Sequence, residues 1–210
     1  MDYFLEKVTA FVTRDTEHGP QLLLFEHPVA GIQLPAGTVE EGELHLNAVL
    51  REATEETGLH GFSIGQYIGS IDTCLPKDLR FILRTTKVYA RPDCQSFDWA
   101  EFRRGISVSC HRTKDGYSHV TYEEGDQYPN PNYITYSITG WVPSGILAKC
   151  ERRYLYHLTY NGDCSEQWSL HCDNHLFHLF WAPLEDLPCI IKCQQEWLDY
   201  ATKTLGYRFG

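Results

Sequence analysis

Three glutamates in the segment HLNAVLREATEETG (45–58) are the residues whose spacing most clearly indicates chemistry. Glu52, Glu55 and Glu56 stand at i, i+3 and i+4, so on a helix their carboxylates share one patch. They crowd the last turn, where like charges and the negative end of the helix dipole are both unfavourable. A solvated acidic face leaves this placement unexplained. Bound Mg²⁺ or Mn²⁺ explains it, because these hard cations take carboxylate oxygens and substrate phosphates.

The segment that carries these glutamates has the periodicity of an amphipathic helix. Four apolar residues fall at i, i+3, i+4 and i+7, and a glycine follows as a natural stop: Leu46, Val49, Leu50, Ala53 and Gly58. Two strands, 8–14 and 21–27, are predicted to precede the helix as a hairpin. Further strands are predicted at 62–72, 80–90, 153–160 and 175–184, with a closing helix at 189–206. Strands and helices in this order favour an α+β sandwich.

The residues around the glutamates form a longer pattern with fixed spacing. It is Gly37, five residues, Glu43, seven residues, and then Arg51-Glu52-Ala53-Thr54-Glu55-Glu56-Thr57-Gly58-Leu59. This pattern resembles the Nudix box, Gly-x5-Glu-x7-Arg-Glu-U-x-Glu-Glu-x-Gly-U with U apolar, at every fixed position. The segment LPAGTVEEGE (34–43) and the late pattern HLFHLFWAPLEDLP (175–188) are also typical of the family. The resemblance to the Nudix (MutT-like) hydrolase superfamily covers about residues 1–90 and 150–210.

The resemblance implies a fold and a set of residue roles. The fold is an α/β/α sandwich with a mixed β-sheet. Glu52, Glu55 and Glu56 are implied as ligands of a catalytic Mg²⁺ or Mn²⁺, to which the Gly37 carbonyl adds another oxygen. Glu43 and Arg51 also have an implied role: they form an ion pair that holds the loop against the helix.

The implied reaction is hydrolysis of a pyrophosphate bond in a nucleoside diphosphate linked to a moiety X, by water that a metal activates. Glu52 is our first choice for the general base. Four acidic residues outside the box are alternatives: Glu166, Asp163, Asp173 and Glu124.

Composition limits the classes of protein and of partner. The chain has 210 residues, eight cysteines and a formal charge of −10, which argues against a nucleic-acid partner. No apolar run approaches the length of a membrane helix, and the N-terminus lacks the pattern of a signal peptide. We therefore expect a cytoplasmic protein with reduced thiols. Members of the family often dimerise, so a homodimer is compatible with the resemblance.

The substrate is less well specified by the sequence than the reaction. We expect a single Nudix domain over 1–210 with an insertion at about 92–150, where the resemblance stops. Within this insertion, the segment EEGDQYPNPN (123–132) is predicted to be a loop. Arg80, Arg84 and Arg91 are the candidate contacts to substrate phosphates. Pro76 lies near the position that marks ADP-ribose pyrophosphatases, which favours ADP-ribose-like substrates. Three alternatives remain open: a nucleotide-sensing Nudix module without turnover, a diphosphate isomerase and an mRNA-decapping hydrolase.

Overall fold

The computed structural model describes residues 4–127, 130–172 and 175–206. Two α-helices and fifteen β-strands are described there. The helices are α1 (His45–Thr57) and α2 (Lys192–Leu205). The strands are β1 (Phe4–Thr16), β2 (Gly19–His27), β3 (Gly31–Gln33), β4 (Ala36–Thr38), β5 (Ser63–Cys74), β6 (Leu79–Ile82), β7 (Thr86–Tyr89), β8 (Asp98–Phe102), β9 (Ser107–Lys114), β10 (Tyr117–Gly125), β11 (Ile134–Pro143), β12 (Leu147–Ala148), β13 (Cys150–Thr159), β14 (Gln167–Cys172) and β15 (His175–Pro183).

The chain divides into two compact units. One consists of residues 7–71 and 153–210, and we call it the box unit because it contains the Nudix-box pattern. The other consists of residues 1–6 and 72–152, and we call it the 72–152 unit. The 72–152 unit contains the whole segment 92–150 for which the sequence predicted an insertion.

The larger sheet has the strand order β14-β15-β2-β1-β13-β5, with β3 beside β2 and β4 beside β1. Strands β1 and β2 form the predicted hairpin, with Thr16 opposite Gly19 at the turn. Two hydrogen bonds show the relative direction of β1 and β13. Arg153 binds the Val8 carbonyl, and His157, further along β13, binds Thr13, further along β1. These two strands therefore run parallel beside antiparallel neighbours, and the prediction of a mixed sheet is confirmed.

The two helices of the box unit pack on opposite faces of its sheet. Alternate residues of a strand point to opposite faces. Accordingly, Val8 and Leu23 pack with the α1 residues Ala48, Val49 and Ala53. Phe11 and Leu22 pack instead with the α2 residues Leu198 and Ala201. The predicted α/β/α sandwich follows from this alternation.

The 72–152 unit contains a seven-stranded sheet with the order β12-β6-β9-β10-β11-β7-β8. Its core includes Ile82, Val108, Val120 and Ile138. Two sequence predictions in this region were wrong in detail. The strand predicted over 80–90 is divided by a bend into β6 and β7, and β10 continues to Gly125 within the segment predicted as a loop.

The thiol prediction requires a correction. Cys74 and Cys150, which are 76 positions apart, form a disulfide. The sequence alone did not connect these two cysteines. Beside it, Asp72 accepts two hydrogen bonds of 2.7 Å from Arg152. The two chain segments that enter and leave the 72–152 unit are therefore joined covalently and by an ion pair.

Candidate active site

The helix α1 carries the predicted carboxylates, and its ends are fixed differently. At the C-terminus Gly58 adopts φ +72° and its N–H donates to the Thr54 carbonyl, which ends the helix as the sequence predicted. The Trp168 indole N–H donates to the Thr57 carbonyl at 2.8 Å, and this bond ties the last turn to β14. At the N-terminus Leu44 provides no side-chain cap.

Arg51 is the centre of the polar network on this helix. Its guanidinium donates to both carboxylate oxygens of Glu43, at 3.0 and 2.9 Å. It also donates to Glu52 at 2.9 Å and to Glu55 at 3.1 Å. A further bond of 3.1 Å reaches the Thr38 carbonyl at the end of β4. Arg51 thus joins the loop before the helix, the helix itself and the neighbouring strand.

Glu43 completes the connection between this loop and the helix. The Glu40 backbone N–H donates to its carboxylate at 2.9 Å. Hydrogen bonding from Arg51 lowers the pKa of Glu43 below its usual range, so this carboxylate is ionised at neutral pH. The same pairing raises the pKa of Arg51.

Glu52 is more enclosed than its neighbour on the helix, Glu55. Its side chain is 15% exposed, against 55% for that of Glu55. Its carboxyl group occupies the space that a β-carbon would fill at Gly37, so any other residue there would displace this carboxyl group. Burial raises the pKa of Glu52, and the nearby Arg51 opposes that rise. A carboxylate with a raised pKa is better suited to accept a proton near neutral pH.

Glu56 lies one turn beyond Glu52 and faces the same strand. Its carboxylate accepts a hydrogen bond of 2.8 Å from the Ala36 backbone N–H. Glu52 and Glu56 therefore contact consecutive residues of β4, whereas Glu55 is directed to Arg51. Among the described residues, no three His, Cys, Asp or Glu side chains are gathered as a ready-made metal cluster. Each of the three helix carboxylates is held instead by a donor of the protein.

The oxygen donors on α1 and β4 have the chemistry that a hard divalent cation requires. Glu52, Glu55 and Glu56 offer carboxylate oxygens from adjacent turns, and the Gly37 carbonyl belongs to the strand that Glu52 contacts. These residues fit Mg²⁺ or Mn²⁺ by their chemistry, and Arg51 and the Ala36 N–H are the donors with which the cation would compete for the carboxylates.

The four alternative bases have different surroundings. Glu166 is bound by Arg14, whose guanidinium donates to both of its oxygens at 2.5 Å. Asp163 is exposed. Glu124 lies on β10 of the 72–152 unit, and Asp173 lies outside the described residues.

The three arginines predicted to contact substrate all belong to the 72–152 unit. Arg80 lies on β6, where it donates at 2.7 Å to the carbonyls of Lys77 and Leu79. Arg84 and Arg91 are exposed and follow β6 and β7, respectively.

One aromatic cluster in the box unit was missed by sequence reasoning. His45, the first residue of α1, stacks on Tyr154 with ring centroids 4.1 Å apart. Its Nδ1 atom shares a hydrogen bond of 2.5 Å with the Tyr156 hydroxyl. Tyr67 completes the cluster, 5.1 Å from the Tyr156 ring. No signal in the sequence connects these residues, because β13 follows the helix by about a hundred positions.

One family model matches the part of the chain that contains the box. Residues 5–97 match the family model of the NUDIX domain. The predicted resemblance to the Nudix superfamily is confirmed over these residues. The predicted class of enzyme, a Nudix pyrophosphohydrolase, is thereby confirmed, and Nudix enzymes generally use divalent metals such as Mg²⁺ or Mn²⁺.

Matches to individual proteins are more distant. No curated protein matches the chain. A Caenorhabditis elegans Ap4A hydrolase in a binary complex is 13% identical, with a TM-score of 0.44 over 96% of this chain and 98% of that one. The NUDIX domain of Shewanella oneidensis NrtR, complexed with ADP ribose, is 14% identical, with a TM-score of 0.43 over 98% of this chain and 90% of that one. At these TM-scores neither similarity bears on the substrate of this Nudix protein. Among its described residues, no helix is both long enough and apolar enough to cross a bilayer.

Proposed function

We propose that this Nudix protein hydrolyses the pyrophosphate bond of a nucleoside diphosphate linked to a second group, with Mg²⁺ or Mn²⁺ bound by Glu52, Glu55, Glu56 and the Gly37 carbonyl. The observation that carries the proposal is the enclosed Glu52 carboxyl group against Gly37, on a helix whose other two box glutamates lie within one turn of it. A bound cation would neutralise phosphate charge and lower the pKa of a coordinated water.

The residues of the chain supply the other requirements of the reaction. Glu52 is the proposed proton acceptor, because burial raises its pKa while its side chain remains 15% exposed. Arg51 and Glu43 are the proposed positioning pair, since their two hydrogen bonds fix the loop against the helix. The positive charge of Arg51 also reduces the repulsion between Glu52 and Glu55.

The substrate class in this proposal is a small nucleotide derivative, with ADP-ribose-like compounds as the first choice. Arg80, Arg84 and Arg91 of the 72–152 unit remain the phosphate contacts predicted from the sequence. We further propose a homodimer; the cytoplasmic location expected from the sequence is not part of the proposal. The Cys74–Cys150 disulfide is an observation against a strongly reducing compartment.

A substrate panel tests the proposal. ADP-ribose, diadenosine polyphosphates, nucleotide sugars, nucleoside triphosphates and capped RNA would each be incubated with the full chain and Mg²⁺ or Mn²⁺, with phosphate release coupled to a phosphatase. Glu56→Gln and Glu55→Gln remove one negative charge each from the box. Glu196→Gln makes the same change on α2, on the opposite face of the sheet, and is the matched control.

The outcomes distinguish the hydrolase from its alternatives. Turnover of a nucleotide derivative that falls by at least about 100-fold in the box variants, but not in Glu196→Gln, supports the proposal. If no compound of the panel is hydrolysed although Mn²⁺ raises the melting temperature of the wild type, the sensing module is favoured. Turnover of capped RNA alone favours decapping. Equal turnover in all variants overturns the assignment of the site.

A further inference from the structure

The N-terminal turn of α1 is held by side-chain contacts of a kind that the Nudix box does not include. Leu44 makes no capping hydrogen bond, and the first turn has no acidic residue to favour the helix dipole. What contacts this turn is β13, through His45. The His45 ring lies nearly parallel to the Tyr154 ring, with an interplanar angle of 14°. The Nδ1 atom of His45 shares the 2.5 Å hydrogen bond with the Tyr156 hydroxyl.

Tyr156, the residue that His45 binds, is buried and closely packed. Tyr156 is 3% exposed and belongs to the core cluster beneath α1, together with Leu158. Its ring also contacts Tyr67 on β5. A hydrogen bond to a buried, packed tyrosine fixes a side chain more strictly than one to a mobile surface group.

The position of His45 on the helix connects this contact to the proposed metal site. Glu52 and Glu56 follow His45 by seven and eleven residues, and at 3.6 residues per turn all three lie within about 20° of one line along the helix. A rotation of α1 that displaces His45 therefore displaces both carboxylates. With carboxyl groups about 5–6 Å from the axis, a rotation of about 10° would move them by about 1 Å.

We propose that His45 and Tyr156 form a positioning pair that fixes the rotation of α1 about its axis and thereby holds Glu52 and Glu56 against residues 36 and 37. The inference rests on the proposed function. Trp168 restrains the opposite end of the helix through Thr57, so the carboxylates lie between two fixed ends. Neither His45 nor Tyr156 is assigned a direct contact with substrate or metal.

The test is a double-mutant cycle in the full chain. Tyr156→Phe and His45→Phe each remove one partner of the hydrogen bond and keep an aromatic ring. Tyr67→Phe is the matched control, because it removes a hydroxyl from the same cluster at a side chain that is 48% exposed. The readouts are kcat and KM for the substrate found in the panel, and the Mn²⁺ concentration that gives half of the maximal rise in melting temperature. All rates are measured well below the melting temperature of each variant.

The expected changes in kcat, KM and the Mn²⁺ midpoint distinguish a positioning role from a purely structural one. Each single variant lowers kcat by about 10–100-fold and leaves KM within about twofold, because 1 Å of misplacement affects the reacting groups rather than distant binding contacts. The Mn²⁺ midpoint rises in both. The double variant is no worse than either single variant, since both remove one shared interaction. His45→Asn, which retains a hydrogen-bonding atom near the Nδ1 position, recovers part of the loss seen in His45→Phe.

Several results would overturn the proposal. One is a wild-type kcat and Mn²⁺ midpoint in Tyr156→Phe, and another is equal losses in Tyr67→Phe. A double variant whose loss is the product of the single losses also overturns it. If the wild type binds Mn²⁺ but hydrolyses nothing, the proposed function fails by itself, and the Mn²⁺ midpoints decide whether the pair positions the carboxylates. A wild type that neither binds Mn²⁺ nor hydrolyses any substrate overturns both proposals.

Discussion

The substitution Gly37→Ala tests the proposed metal site at a single methyl group. A β-carbon at Gly37 would fall on the carboxyl group of Glu52. The backbone of Gly37 is outside the left-handed region, so alanine introduces no backbone strain there. The substitution therefore acts on Glu52 and not on the path of the chain.

The size of the expected effect follows from van der Waals distances. Carbon atoms in contact lie about 3.5–4.0 Å apart, so the Glu52 carboxyl group must retreat by more than about 1 Å. Misplacement of this size costs about 100-fold in rate. The effect on stability should be smaller, within about 1 kcal/mol, because the glycine-to-alanine change reduces the entropy of the unfolded chain and offsets part of the crowding.

The assay compares kcat/KM and melting temperature, with and without Mn²⁺, for the wild type, Gly37→Ala and Gly145→Ala. No heavy atom lies within 4 Å of a β-carbon built at Gly145, which makes this variant the matched control. We expect Gly37→Ala to lose about 100-fold in activity and most of the Mn²⁺-induced stabilisation, while Gly145→Ala behaves as the wild type. If Gly37→Ala retains activity within about threefold together with its full response to Mn²⁺, then Glu52 does not act from this position.

The remaining predictions concern charge and the disulfide. Arg51→Ala should lower the free energy of unfolding by about 1–3 kcal/mol, measured in urea, because Glu43 loses its partner. Since Arg51 lowers the pKa of Glu43, this contribution is present above the ordinary carboxyl pKa and disappears as the pH falls through the lowered value, so variant and wild type should converge in acid. Burial raises the pKa of Glu52, so protons should compete with Mn²⁺ and raise its midpoint as the pH falls from 7 to 5; a flat midpoint would contradict this. Cys74→Ser should cost about 2–4 kcal/mol, and dithiothreitol should lower the wild-type melting temperature to that of the variant.

Local sequence information predicted the helix of the site with good accuracy. The periodicity of 45–58 and the glycine at its end correspond to the observed His45–Thr57 and its left-handed cap at Gly58. The pairing of Glu43 with Arg51, which the resemblance to the Nudix box implied, is present in the structure within one loop-to-helix segment. Such features depend mainly on residues a few positions apart, which a single sequence shows directly.

Contacts between distant segments were beyond the same reasoning. Cys74 and Cys150 are 76 positions apart, and spacing alone does not identify a cysteine's partner. The hydrogen bond between His45 and Tyr156 spans 111 positions. Strand β10 was divided between a predicted loop and unassigned residues because its alternation is largely polar, as at Glu123 and Glu124. These features depend on which strands become neighbours, and a single sequence carries little information on that.

The charge distribution on α1 connects the stability of the helix with its proposed chemistry. The last turn has no basic residue, so Glu55 and Glu56 oppose the helix dipole without compensation from a neighbouring cation in that turn. Arg51 offsets part of this charge, and the Ala36 N–H binds the remaining glutamate, but both donors occupy oxygens that a metal would use. A bound divalent cation would compensate the negative charge of Glu55 and Glu56 more fully, because it carries two positive charges. The residues that make this helix electrostatically unfavourable are therefore the same ones that would give the cation its affinity, and an acidic face that served only for solubility would not need an arginine bound among its carboxylates.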